Sequence, residues 1–255
     1  MSQLQNRILR SLAPDQLQRI MAAAQLVDLP ARRVLYDVNQ PVSHVYFPES
    51  GIASIVTPLK DGSAVETSMC GNEGMVGLPL FLHADAAPNQ AFQQIAGSAW
   101  QLDRETFLRE LDRGPDMRRE IGRFAQATIV FMSQTSACNR RHSIEERCIR
   151  WLLFVDDVVE GPAELTQQFL SQMLGVRRAS VTVVAAALQQ AKLIEYHRGK
   201  VAVLNRPGML ELACECYGLI RNEYARLLRD GTPVPAGYPA ITTSNGEFSA
   251  LGYGA

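Results

Sequence analysis

Residues 165–203, LTQQFLSQMLGVRRASVTVVAAALQQAKLIEYHRGKVAV, restrict the fold more than any other stretch. Thr166 suits a helix N-cap, because its hydroxyl accepts one of the backbone N–H groups left free at a helix start. Phe169, Leu170, Met173 and Leu174 then share one face of a short helix. Gly175 follows where the chain must turn sharply, a left-handed position that glycine takes without steric cost. A second helix opens with Arg177 and Arg178 and turns Val181, Val184, Ala185 and Leu188 to one side. Leu193 and Ile194 begin a strand, and Arg198-Gly199-Lys200 marks a hairpin tip. Two helices about a glycine, then a hairpin, is the pattern of a winged helix-turn-helix, which presents its second helix to the DNA major groove. The same pattern also fits two helices that pack on each other and mediate protein contacts.

Charge separates these readings. Residues 161–210 hold Arg177, Arg178, Lys192, Arg198, Lys200 and Arg206 against Glu164 and Glu195, while the whole chain carries a formal charge of −1. Positive charge is thus concentrated where phosphate contact would require it. Arginines in the first turn of the second helix can fork onto guanine O6 and N7.

The 255 residues allow one large or two modest domains, and 47% hydrophobic content is ample for a core. No apolar run approaches the ~18 residues of a membrane span. The first twenty residues lack the apolar stretch of a secretory signal, and the five cysteines are odd in number and irregular in spacing. A reduced cytoplasmic setting and no membrane partner are expected. An enzyme is not expected: there is no phosphate-binding Walker loop, no G-x-S-x-G and no HExxH.

Along the chain, residues 12–26 read as a short helix. Short apolar runs then alternate with turn signals up to Asp103, among them Asp61-Gly62, a hairpin cue. Such spacing predicts a small β-sandwich or barrel. Residues 104–111 read as a helix ended by Gly114-Pro115, and a long helix is predicted over residues 116–142. Its Ile121, Phe124, Thr128, Phe131, Thr135, Cys138 and His142 recur in steps of three and four, the rhythm of a helix-pairing seam. Ser143 with Glu146 forms a capping box that starts a new helix over 144–158 and places a break near residues 141–143. Asp156-Asp157 reads as a solvated face.

The pattern LGVRRASVTVVAAALQQAKLI resembles the winged-helix domain of Crp/Fnr transcription regulators, and the resemblance extends from about Leu12 to Leu210. It implies an α+β protein: a cyclic-nucleotide-binding-like jelly roll (1–115), a dimerisation helix (116–142) and a winged helix-turn-helix (143–230); residues 231–255, rich in Gly, Pro, Ser and Thr without periodicity, read as a disordered tail. It implies a homodimer on a palindromic site in double-stranded DNA, paired through Ile121, Phe124, Thr128, Phe131, Thr135 and Cys138, and a regulator that would meet RNA polymerase. Residue by residue, it places Arg178, Ala179 and Val183 against bases, and Thr166, Gln168, Arg177, Ser180, Arg198 and Lys200 against phosphates. The alternative is a small-molecule- or nucleotide-binding module whose helical half holds other proteins.

In the sensor half, the resemblance points to the loop from Gly71 to Gln90. Gly71, Glu73, Gly74, Asn89 and Gln90 become the pocket candidates, with Asn89-Gln90 standing where an Arg-Ser or Arg-Thr pair would hold a cyclic phosphate. Without that cation a buried phosphate is costly, so cyclic AMP is not expected and any effector is another small molecule. No cysteine precedes Cys70, which disfavours an N-terminal iron–sulfur centre. Haem through His44, His83 or His142 is disfavoured too. Cys138 and His142, four apart, lie on one helix face, where two copies across a dyad would make a zinc or redox site. Small residues packed in the seam are the simpler account. Cys214 and Cys216 read as neighbours that splay on a helix, so no metal is expected.

Overall fold

The computed structural model describes residues 4–159 and 161–228. Two short helices, α1 (Arg7–Arg10) and α2 (Pro14–Ala23), lead into seven strands: β1 (Gln25–Leu29), β2 (Val34–Tyr36), β3 (His44–Pro48), β4 (Ile52–Pro58), β5 (Ala64–Cys70), β6 (Gln90–Ile95) and β7 (Gly97–Asp103). A single turn, α3 (Leu78–Phe81), sits between β5 and β6. The strands form two antiparallel sheets, ordered β1-β7-β3 and β2-β6-β4-β5. Val45, Phe47 and Leu102 from the first meet Ala53, Cys70 and Ala91 from the second in one apolar core, giving the expected jelly roll. The helix predicted over residues 12–26 stops at Ala23, because the next residues pair with β7, Gln25 opposite Gln101. Asp61-Gly62 does turn β4 into β5, with Gly62 at φ 83°.

Asp103 caps α4 (Arg104–Arg113) by accepting from the Thr106 N–H. The long helix α5 (Pro115–Arg141) follows and ends at His142. Both bonds of the Ser143–Glu146 capping box are present at the start of α6 (Ile144–Asp156). Then come β8 (Ala163–Glu164), α7 (Gln167–Leu174), α8 (Arg178–Gln190), β9 (Ile194–His197), β10 (Lys200–Val203), α9 (Arg206–Leu212) and α10 (Glu215–Leu228). Strands β8, β10 and β9 make the wing.

The two halves touch. Phe92 of the jelly roll meets Phe169 of α7 edge-on at 6.2 Å, and Trp151 Nε1 of α6 donates to Glu66 Oε1 of β5 at 2.7 Å. Helix α10 runs against α5.

That contact corrects the expected pairing seam. Ile121, Phe124, Thr128, Phe131, Thr135 and Cys138 are all buried within their own chain. The Phe124 ring meets Tyr224 of α10, Phe131 stacks at 5.4 Å on Phe154 of α6, and Thr135 Oγ1 accepts from Arg150 Nη1 at 2.9 Å. The three-four rhythm fixes an apolar stripe but not what covers it, and here α6, α10 and the jelly roll do. The outward face of α5 carries Gly122, Gln126, Ile129, Ser133 and Ala137 instead. No described helix is long and apolar enough to cross a membrane. The expected tail, residues 231–255, lies outside the described residues.

Candidate nucleic-acid interface and sensor cavity

Helix α8 is held from behind by Val181, Ala185 and Leu188, all buried at helical spacing. Its opposite face is therefore turned to solvent. Arg177, Arg178 and Ala179 are exposed there, Val183 is 70% exposed, and Ser180 is half-buried. An apolar side chain so open on a charged face has no packing role and is free to meet a thymine methyl. Arg177 occupies the N-cap position without a side-chain capping bond. The leading N–H groups of α8 are thus left for water or an anion.

Around this face, Thr166 is exposed and caps α7, its Oγ1 accepting from the Phe169 N–H at 3.1 Å. Gln168 is exposed beside it. Gly175 turns the chain between α7 and α8 at φ 62°. At the wing tip, Arg198 (φ 48°) and Gly199 (φ 77°) both take the left-handed conformation of a tight hairpin turn. That lifts Arg198 and Lys200 into solvent. Lys200 pairs with Glu164 at 3.1 Å, but both are exposed, so the pair is a weak competitor for a phosphate. Arg177, Arg178 and Arg198 have no carboxylate partner among the described residues.

Two charges behave differently from the sequence reading. Arg206 does not face the interface: it binds Asp156, Asp157 and the Tyr217 hydroxyl. The acidic pair is accordingly no solvated face, since Asp157 also accepts from Arg221 at 2.7 Å. Burial raises the Asp157 carboxyl, and the two guanidiniums oppose that shift. Thr182 went unnoticed in the sequence. It is exposed one turn beyond Arg178, and its hydroxyl donates to Gln167 Oε1 at 2.7 Å, tying α8 to α7. Its spacing of four from Arg178 was the available signal.

The five sensor candidates do not form one pocket. A cavity of about 150 Å³ lies between the jelly roll and α5, lined by Tyr36, Ser68, Cys70, Met75, Asn89, Phe124, Thr128 and Met132 among others, none of them cationic. Asn89 lies in this cavity and accepts from the Tyr36 hydroxyl at 3.0 Å. Gln90, which opens β6, turns away from it and donates to Asp37 at 2.8 Å. Gly74 is pressed under the Phe124 ring, where a Cβ would come within 2.1 Å of Cε2. Gly71 and Glu73 line a second cavity of about 230 Å³, bordered by Asp157, Arg221 and Tyr224. There Glu73 accepts from the Gly71 N–H at 2.8 Å, and burial raises its carboxyl. Cys138 and His142 meet Cys214 and Cys216 of their own chain, with no dyad needed.

A family model for the cyclic nucleotide-binding domain matches residues 26–113, and one for the Crp-like helix-turn-helix domain matches residues 146–212. Between them they account for more than half of the chain. The chain belongs to the Crp/Fnr family. It is a Crp/Fnr-type transcription regulator, with a DNA-binding helix-turn-helix and an effector-binding-type domain. Among solved structures, the c-di-GMP responsive global regulator CLP of Xanthomonas campestris is similar at 17% identity and TM-score 0.61, over 76% of this chain and 100% of that one. FixK2 from Bradyrhizobium japonicum is similar at 16% identity and TM-score 0.64, over 75% and 98%. TTHA1359, a Crp/Fnr transcriptional regulator from Thermus thermophilus, shares 19% identity at TM-score 0.61, over 74% and 98%. At such identities the likeness is one of fold. No curated protein matches the chain by sequence.

Proposed function

We propose that this regulator binds a palindromic operator as a homodimer, reading bases with Arg178, Ala179 and Val183. Thr166, Gln168, Arg177, Ser180, Arg198 and Lys200 hold the flanking phosphates. The observation that carries this reading is the solvent-facing pair Arg177 and Arg178 at the uncapped start of a helix braced from behind. Pairing runs through the outward face of α5, where small residues surround Ile129, 55% exposed. Two-fold pairing wants half-sites about one helical turn apart.

Selection of bound sequences from a random pool tests the reading: an inverted repeat is the expected product. Arg178→Ala costs ~1–3 kcal/mol and relaxes preference at one base pair, as loss of a forked contact to guanine does. Lys200→Ala weakens all sequences alike and reduces the salt slope by about one. A variant pair with these two signatures exchanged, measured by fluorescence anisotropy across a salt series, would sink the assignment.

The effector, in this reading, is an uncharged and largely apolar molecule in the 150 Å³ cavity. Its lining supplies the Tyr36–Asn89 pair and the Thr128 hydroxyl but no cation to compensate a phosphate. Such a ligand acts on α5 directly, because Phe124, Thr128 and Met132 form one wall. It changes DNA binding by favouring one placement of the break at residues 141–143 over another. Calorimetry with cyclic AMP and cyclic GMP is expected to give no heat of binding; micromolar affinity for either would overturn this part.

A further inference from the structure

Cys138 and His142 lie one turn apart at the end of α5, so both look the same way. Cys214 immediately precedes α10 and Cys216 falls in its first turn, so the two do not splay as neighbours within a helix would. The fold joins these pairs. Cys138 Sγ is 3.7 Å from Cys214 Sγ, and Cys216 Sγ is 3.4 Å from His142 Nδ1. All four donor atoms lie within 4.8 Å of one another. The three cysteines are buried in a cluster of their own, apart from the two apolar cores.

A tetrahedral ion with metal–sulfur bonds of about 2.3 Å and metal–nitrogen bonds of about 2.0–2.1 Å has S–S edges near ~3.75 Å and S–N edges near ~3.55 Å. The Cys138–Cys214 and Cys216–His142 separations are close to these edges, and every other pair of donor atoms lies within 4.8 Å. A disulfide would need its sulfurs at about 2.05 Å and would leave the third cysteine and the histidine without a task. The surroundings match as well. His142 Nε2, on the far side of the ring, is 3.3 Å from Glu215 Oε2, the carboxylate partner that orients a metal-bound imidazole. Gln134 Nε2 donates to Cys216 Sγ at 3.1 Å. All four residues fall outside the matched sensor segment, 26–113, and Cys138, His142, Cys214 and Cys216 flank the matched helix-turn-helix segment, 146–212, on both sides.

We propose that Cys138, His142, Cys214 and Cys216 hold one Zn²⁺ in a closed tetrahedral site. Four protein ligands of this type leave no open position, so the site is structural. Binding forms three Zn–S bonds and one Zn–N bond and releases to solvent whatever protons the Cys138, Cys214 and Cys216 thiols hold. The ion fastens the break after α5 to the first turn of α10.

Titration of the reduced, chelator-treated full chain with Co²⁺ tests this. The expected result is one equivalent per chain, with the intense ligand-field and thiolate charge-transfer bands of a tetrahedral sulfur-rich site, bleached by Zn²⁺. Cys214→Ser and Cys216→Ser lose this signal at one equivalent, and Cys148→Ala, outside the cluster, keeps it. Glu215→Ala keeps the spectrum but weakens Co²⁺ binding by about 10–100-fold. The faint bands of octahedral cobalt in the wild-type chain, or alkylation of Cys138 and Cys214 undiminished by Zn²⁺, would overturn the proposal. The wild-type titration decides it even if a variant fails to fold.

Discussion

Phe131→Ala is expected to lower the unfolding free energy by about 3–5 kcal/mol while leaving the oligomeric state of the folded protein unchanged. Phe131 is 4% exposed. Its ring lies on Phe154 at 5.4 Å, and it borders the 230 Å³ cavity together with Ile52 and Met69 of the jelly roll. Truncation removes an aromatic side chain from a place held by two β-strands and a helix, which cannot all close on the space. The cost therefore includes a cavity as well as the lost transfer of apolar surface. The matching change on the other side of the same helix has the opposite signature. Ile129 is 55% exposed, so Ile129→Arg leaves the single chain's stability within about 0.5 kcal/mol but would place two like charges against each other in the proposed pairing face. Urea unfolding with sedimentation of both variants checks the pair. If Phe131→Ala dissociates dimers with its folding intact, the inward assignment of Ile121, Phe124, Thr128, Phe131, Thr135 and Cys138 fails.

Stability is expected to fall between about pH 5 and pH 8 in a way that Glu66→Gln abolishes. Glu66 sits on β5, 6% exposed, with its two oxygens accepting from Ser54 Oγ at 2.6 Å and Trp151 Nε1 at 2.7 Å. Burial pushes its carboxyl from 4.5 up to about 7, against the pull of Ser54, Trp151 and Arg150. Between those values the folded chain holds a proton that the unfolded chain has released. The contribution of neutral Glu66 is thus complete below 4.5 and is lost as pH rises through about 7. A shift of this size corresponds to roughly 3 kcal/mol. Because Trp151 belongs to α6, the loss is felt where the sensor half meets the DNA-binding half. Urea midpoints at four pH values compare wild type with Glu66→Gln, and the difference cancels every other titrating group. Parallel profiles for the two proteins would refute the assignment.

Local signals carried most of the fold. The Thr166 cap, the Gly175 turn, the Ser143–Glu146 capping box and the Asp61-Gly62 hairpin each depend on chemistry within a few residues, and each stands where the chain places it. The outward face of α8 was legible for the same reason, since burying Val181, Ala185 and Leu188 leaves Arg178, Ala179 and Val183 opposite. Long-range partners were not. The stripe on α5 was visible, but its cover includes Tyr224 and Cys214, more than seventy residues later. Arg206 looked like interface charge because Asp157, forty-nine residues away, gives no local sign of binding it. The sensor candidates were drawn from one loop, whereas Asn89 turns into the cavity towards Tyr36 and Gln90, at the start of β6, turns away towards Asp37.

Docking of α7 against the jelly roll has a consequence for control. The jelly roll meets Phe169 through Phe92 and the Gly175 turn through Val65, yet Arg177 and Arg178 just beyond that turn stay exposed. Under the proposed pairing, a signal that moves the break at residues 141–143 would act on the distance and tilt between two reading helices, and so on which sequences are preferred.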